Sequence, residues 1–230
     1  MLVGLLVLAL GGGLVIQSVR LGRALRARAK ARAGFLDLVA ARMAHLRRAT
    51  LPTGFPRLSG VIAGAEFDLQ VVPDTLTFRK LPALWLLVTL PVPLPIRQRL
   101  DLMVRPRGVE TFSSFDQLPV QTDAPPGFPL DVALRSEEPL TPDDAALLAR
   151  QRAILDDPRV KELVISPQGL RITWLADEAE RGRYLIFREA EMGQKPLDPE
   201  ALWPLLSALT GLRDDILAGD AAPVEERKCA

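Results

Sequence analysis

Cysteine and histidine are almost absent from this chain of 230 residues. Each occurs once, as Cys229 next to the C-terminus and as His45. A single cysteine excludes a disulfide within the chain and a zinc site of the usual cysteine-rich kind. Because no histidine follows residue 45, the rest of the chain lacks a Ser-His-Asp centre, a Cys-His centre and any histidine-based metal site.

The motifs of nucleotide-binding and hydrolytic enzymes are missing as well. The sequence contains no GxxxxGK[ST], GxGxxG or GxSxG pattern, so it offers neither a phosphate-binding loop nor a nucleophile elbow. Pairs of adjacent carboxylates remain, among them those at 137–138, 143–144, 156–157 and 214–215. Such pairs bind Mg²⁺ or transfer protons in other proteins, but here each lies at the end or on the polar face of a predicted helix. We therefore predict no metal, no cofactor and no catalytic residue.

An uncharged apolar stretch opens the chain. Residues 2–19 carry no charge, and only Gln17 and Ser18 are polar. As a helix, these residues extend about 27 Å, close to the thickness of bilayer hydrocarbon. A cleaved signal peptide is the main alternative, but no basic residue precedes the stretch and no small-x-small cleavage site follows it. We predict a transmembrane anchor at 1–19, with a buried helix of a soluble domain as the third interpretation.

Basic residues follow the apolar stretch directly. Residues 20–48 contain nine Lys/Arg and one acid, a charge of +8, and the remaining 20 basic and 27 acidic residues leave −7 for 49–230. Basic flanks stay in the cytoplasm, so we predict a single-pass inner-membrane protein with its N-terminus outside and its domain cytoplasmic. An acidic domain does not favour nucleic acid as a partner. Six basic residues are expected to contact anionic lipid of the bilayer: Arg20, Arg23, Arg26, Arg28, Lys30 and Arg32.

Residues 20–50 are predicted to form a basic juxtamembrane helix. Its first half is rich in Ala and Arg, which favour helix. Its second half carries an apolar stripe at helical spacing: Leu36, Val39, Met43 and Leu46. Gly34 is expected to bend this helix, whose far end either packs on the domain or on a second copy, or remains a solvated linker.

Residues 51–219 are predicted to form one α+β domain, a mainly antiparallel sheet with two packed helices, followed by a disordered tail at 220–230. Alternating or continuous apolar runs predict strands at 61–71, 76–78, 83–90, 100–104, 132–134, 160–165, 170–174 and 184–187. The first helix is expected to begin at Thr141-Pro142-Asp143-Asp144 and the second at Asp198-Pro199-Glu200, because a capping side chain precedes Pro and acids in each.

Three phenylalanines flank a proline-rich loop: Phe112, Phe115 and Phe128. If exposed, they form a partner surface; if folded back on the sheet, they belong to the core. With no catalytic signature, we expect a membrane-anchored cytosolic module that binds or scaffolds another protein or self-associates. An enzyme that uses Asp, Glu and Arg, and a domain that binds a lipid or small ligand between sheet and helices, are the alternatives.

Overall fold

A computed structural model of the chain describes residues 2–75, 81–106, 110–129, 131–188 and 190–221, with side chains from residue 10 to residue 219. Two predictions lie outside the described residues: the strand at 76–78 and nearly all of the tail at 220–230. The described part is α+β, with helices and one large antiparallel sheet, as predicted.

Two helices open the chain, strands make up most of its middle, and two helices follow the last strand. The helices are α1 Leu2–Ala33, α2 Asp37–Ala40, α3 Pro142–Arg150, α4 Arg181–Phe187 and α5 Trp203–Ala221, with 3₁₀ turns at Phe115–Gln117, Arg152–Asp156 and Pro199–Leu202. The strands are β1 Ala44–Thr50, β2 Pro56–Ile62, β3 Ala65–Asp74, β4 Ala83–Leu90, β5 Leu100–Val104, β6 Val120–Asp123, β7 Val132–Ser136, β8 Val160–Ser166 and β9 Gly169–Glu178.

The nine strands of the described chain form one sheet in the order β1-β2-β3-β4-β9-β8-β5-β7-β6, and every neighbouring pair is antiparallel. Strands β4, β9, β8 and β5 occupy the centre and are the most apolar, as expected for strands covered on both faces. The run at 83–90 was predicted to be such a strand, and the structure confirms it.

The main core lies on one face of the sheet. Apolar side chains of the strands, such as Phe67 and Leu163, join one buried cluster with α3 and α5, the two packed helices. Helix α3 begins as predicted, with a capping box in which Thr141 and Asp144 each bond to the other's backbone N–H. On α5 an apolar stripe from Leu205 to Ile216 is buried.

The prediction of a helix across 20–50 is wrong in its second half. Helix α1 ends at Ala33, a turn begins at Gly34, and residues 44–50 form the edge strand β1. Leu36, Val39 and Met43 are buried, whereas Leu46 is exposed on the strand. The edge strand forms because β2 offers a free edge: a Cβ on Gly60 would lie 2.7 Å from the Ala44 carbonyl oxygen, so only glycine permits this approach.

Two strand predictions also need correction. The stretch 61–71 is not one strand but the end of β2 and most of β3, separated by a turn at Ala63 and Gly64, which both have positive φ. Residues 184–187, predicted as a strand, form the end of helix α4, which has no buried residue. A strand is specified by alternation of buried and exposed side chains. Because none of these side chains is buried, nothing imposes that alternation here.

Within the described residues, no helix combines the length and the apolar composition that crossing a membrane requires. The anchor predicted at 1–19 is therefore unsupported by the fold and stays a prediction.

The β8–β9 hairpin depends on Gly169, at the turn between the strands predicted at 160–165 and 170–174. Gly169 has φ +142°, and a Cβ there would lie 2.3 Å from the carbonyl oxygen of Leu90. We expect Gly169→Ala to cost about 3 kcal/mol of unfolding free energy, because backbone strain adds to a clash with main chain. Urea unfolding of the detergent-solubilised chain, followed by circular dichroism, measures this cost.

Gly64→Ala is the matched control, because Gly64 also has positive φ (+80°) but nothing lies within 4 Å of its added Cβ. It should cost only about 1 kcal/mol, from backbone strain alone. Equal losses for the two variants would contradict the role assigned to the Leu90 contact.

Candidate functional site

The second face of the sheet is polar along a single row of side chains. Because paired residues in neighbouring strands share a face, the register defines a row across all nine strands. The row reads Arg47, Ser59, Asp68, Thr89, Arg171, Val164, Asp101, Arg135 and Gln121. Eight of its nine members are polar or charged, so this face is where the chain gathers its chemistry.

Residues 110–118, the cover segment, lie across the middle of this face. Phe112 and Phe115 pack there with Leu87 and Met103 in a second, smaller apolar cluster. They are only 7% and 4% exposed, so they do not form the exposed partner surface. Phe128, the third member of that predicted surface, is partly buried against the main core. The three rings fold back because each finds apolar neighbours on the sheet.

Polar contacts also hold the cover segment in place. Lys161 bonds Glu110 over 3.1 Å, and the Ser113 hydroxyl donates to Glu162. Arg135 donates to the carbonyl oxygens of residues 116 and 118, with its guanidinium 5.3 Å from the Phe115 ring centroid. The segment is therefore a fixed layer over the sheet.

Beneath the cover segment lies a buried ionic cluster of Arg99, Asp101, Glu162 and Arg171. Arg99 contacts Asp101 over 2.6 Å and Arg171 contacts Glu162 over 3.0 Å, and both carboxylates are fully buried. The Thr173 hydroxyl donates to Glu162 over 2.7 Å. Buried charges of this kind persist only when paired and hydrogen-bonded.

Asp101 is the less well satisfied of the two acids. Its Oδ1 atom is buried and has no hydrogen-bond partner among the described residues. Burial raises the pKa of Asp101 to about 7, and the negative charge of the nearby Glu162 adds to this effect. Arg99 opposes both effects. Asp101 therefore changes its charge near neutral pH, which few carboxylates do.

An open groove of about 370 Å³ adjoins the cluster, on the part of the polar face that the cover segment leaves free. Its lining includes Arg57, Asp68, Gln70, Thr89 and Arg171. Arg171 therefore belongs both to the groove and to the buried cluster. Two ion pairs line the groove: Arg47 with Glu66 over 2.9 Å and Arg57 with Asp68 over 3.0 Å. Exposed pairs of this kind contribute little to stability, so a bound ligand can replace them at low cost.

The predicted lipid-contacting residues lie on α1, in its second half. Arg20, Arg23, Arg26 and Lys30 are exposed. Arg28 instead bonds Glu191 of the domain, and the Arg32 guanidinium lies 5.8 Å from the Phe55 ring centroid. This basic row is therefore divided between the solvent and the junction of α1 with the domain.

The carboxylate pairs at 137–138, 143–144, 156–157 and 214–215 each contribute a structural contact. Asp144 caps α3, and Asp157 accepts from the Trp174 indole N–H over 3.1 Å. Glu137 accepts from the Arg99 backbone N–H, and Asp215 accepts from Gln151. Within the described residues, no group of three or more His, Cys, Asp or Glu side chains is placed to hold a metal ion. His45 is exposed at a bulge of β1, not in a helix.

Sequence reasoning missed Asp101 and Glu162. A signal was present, because each is an acid inside an apolar strand: Leu100-Asp-Leu-Met-Val and Val160-Lys-Glu-Leu-Val-Ile. Their proximity depends on the β5–β8 register, which pairs Asp101 with Val164 and Met103 with Glu162. Strand order and register are not visible in a local pattern.

Compared with models of protein families, with curated proteins and with solved structures, the chain matches none.

Asp101→Asn tests the buried cluster. When the pKa of a carboxyl rises on folding, its protonated form stabilises the native state, and this stability is fully present at pH values below the pKa in the unfolded chain. The stability is lost as the pH rises towards the pKa in the folded chain, which is about 7 for Asp101. Between pH 5 and pH 8, we expect the unfolding free energy of the wild-type chain to fall by about 2 kcal/mol relative to Asp101→Asn. Urea titrations of the solubilised chain at the two pH values measure the difference.

Asp68→Asn provides the control, since Asp68 forms an exposed ion pair in the same cross-strand row. This variant should keep the wild-type pH dependence. If the Asp101→Asn curve also runs parallel to that of the wild type, the burial of an ionisable Asp101 is not a determinant of stability.

Proposed function

We propose that this protein is a single-pass membrane protein whose cytoplasmic domain binds a partner protein through the groove on the polar face of its sheet. The observation that carries the proposal is the polar row across nine strands, whose middle lies under the cover segment and whose β1–β4 side forms an open groove. A groove with both charge signs and several amide or hydroxyl groups suits a polar protein segment. A lipid-binding cavity, by contrast, is mostly apolar.

The membrane anchor in this proposal rests on the length and composition of residues 2–19. The described apolar side chains of α1 give it further support. Leu14, Val15 and Ile16 are exposed, Leu14 by 69%, and nothing lies within 4 Å of a Cβ added at Gly11, Gly12 or Gly13. Residues 10–19 are all exposed, and exposed apolar surface of this kind indicates an interaction site.

The basic residues that follow the apolar stretch orient the anchor. Arg20, Arg23 and Arg26 are exposed and available to lipid headgroups. Because basic flanks remain on the cytoplasmic side, the proposal places the N-terminus outside and the sheet in the cytoplasm, at the inner membrane.

An enzyme is the second candidate, and one observation favours it. Asp101 and Glu162 lie in one cluster, and the pKa of Asp101 is raised to about 7, as in many acid–base sites. Both side chains are fully buried beneath the cover segment, however. Catalysis requires this segment to open, and hydrogen–deuterium exchange over 110–118 tests for such opening on the timescale of turnover.

The anchor is tested by cell fractionation. The full-length chain should stay in the membrane pellet after an alkaline carbonate wash, and a chain that lacks residues 2–19 should appear in the soluble fraction. The intact mass of the membrane-bound form should include residue 2, because a cleaved signal would remove it. Recovery of a shortened chain from outside the cytoplasm would exclude the proposed orientation.

The groove is tested by site-specific photo-cross-linking in cells that express the full chain. A benzophenone side chain replaces Thr89 in the groove or, as the control, Leu217, which is exposed on α5. We expect a protein adduct from position 89 and none from position 217. Adding Arg57→Glu should abolish the adduct, since it breaks an exposed ion pair at a stability cost of at most about 1 kcal/mol and reverses a groove charge.

The same adduct from both positions would indicate contact by crowding, and the proposed binding site would be wrong. Persistence of the adduct in the Arg57→Glu background would exclude charge recognition in the groove.

A further inference from the structure

Helix α4 leaves three consecutive apolar side chains without cover. Leu185, Ile186 and Phe187 are each more than half exposed, with Ile186 at 73%. None of the residues of α4 is buried. A short helix that contributes nothing to the core and ends in a Leu-Ile-Phe tip is expensive to expose to water, so the tip indicates a contact outside the domain.

The ends of the α4 segment are fixed to the domain. Before α4, the Ala179 backbone N–H donates to Pro82 over 2.9 Å. After it, Met192 is buried, and a Cβ on Gly193 would lie 2.6 Å from the Phe55 ring. The helix between these points therefore projects from the domain at a defined place.

That place is beside α1. Glu191 bonds Arg28 of α1 with one carboxylate oxygen and Arg183 of α4 with the other, the latter over 3.1 Å. One carboxylate thus joins the basic end of the proposed anchor to α4. Leu25, exposed on α1, precedes Arg28 by three residues, which is about 4.5 Å along a helix. Leu21 and Leu25 are thus the exposed large apolar residues between the apolar stretch of α1 and its junction with α4.

The charges around the tip fit the surface of an anionic bilayer. Arg181 and Arg188 are exposed on either side of the apolar residues, and the Arg188 guanidinium lies 5.6 Å from the Tyr184 ring centroid. Apolar and aromatic residues flanked by arginines are typical of elements that insert into the interface of a membrane. Basic residues near anionic lipid add about 1 kcal/mol each.

We infer that α4 is a second membrane contact, in which Leu185, Ile186 and Phe187 insert into the headgroup region of the bilayer that α1 spans. This inference rests on the proposed anchor. It adds that the domain is held against the membrane at two points joined through Glu191, so that the sheet has a fixed orientation instead of rotating about a single helix.

Site-directed spin labelling of the full chain tests the inference. In a Cys229→Ser background, Ile186→Cys, Leu217→Cys and Val15→Cys each carry a nitroxide, and the chains are reconstituted into phosphatidylcholine vesicles that contain phosphatidylglycerol. Collision with oxygen reports the bilayer, and collision with a water-soluble nickel chelate reports the solvent. We expect the label at 186 to favour oxygen over nickel several times more strongly than the label at 217.

The label at 15 separates the inference from the proposed function. If the label at 15 lies in the bilayer while the label at 186 is as accessible to nickel as the label at 217, the inferred second contact is wrong and the anchor stands. If the label at 15 is also in water, both the proposed anchor and the inferred second contact are wrong.

Charge reversal supplies a second measurement. Arg181→Glu with Arg188→Glu should raise the nickel accessibility of the label at 186 on anionic vesicles and leave that at 15 unchanged. A tip that covers another protein would be shielded from nickel to the same degree in pure phosphatidylcholine and in anionic vesicles, and would show no oxygen preference. That pattern would overturn the inference.

Discussion

Alternation of side chains across a pleated sheet is the constraint on which this structure depends. Each strand that supplies Leu or Phe to the main core must place its other residues on the opposite face. Since α3 and α5 cover only the core face, the opposite face has to be closed in another way. The chain closes half of it with the cover segment and keeps the other half polar, which produces a groove beside a buried ionic cluster.

The buried cluster is the costly part of this arrangement. Asp101 and Glu162 are removed from water in adjacent strands, and two arginines and two hydroxyl groups compensate them only in part. An apolar pair of the same size would be easier to bury. What the charges provide is attachment, because Ser113 and Ser114 of the cover segment bond to Glu162 and Arg99. The ionic cluster therefore specifies where the segment lies, whereas Phe112 and Phe115 supply the burial.

The sequence predicted those parts of the fold where local signals and packing agree. The α3 start at Thr141 and the strand at 83–90 were predicted from capping and from an apolar run, and both are confirmed. Strand β1 and helix α4 were predicted incorrectly, because neither has a buried face to impose a period. The cluster of Asp101 and Glu162 was missed for a different reason: it exists only through a register between strands about 60 residues apart along the chain.

The position of the α1–α4 junction bears on how the groove can be used. Glu191 ties α1 to the segment that follows β9, and β9 is also the strand that carries Arg171 into the groove. The segment that follows β9 therefore links the proposed membrane contacts to a strand that lines the proposed binding surface. A flexible tether would leave the groove free to face any direction, whereas membrane contacts at both α1 and α4 would restrict it to partners at one height above the bilayer. A partner that is itself bound to the membrane then meets the groove at a raised effective concentration, without any additional contact.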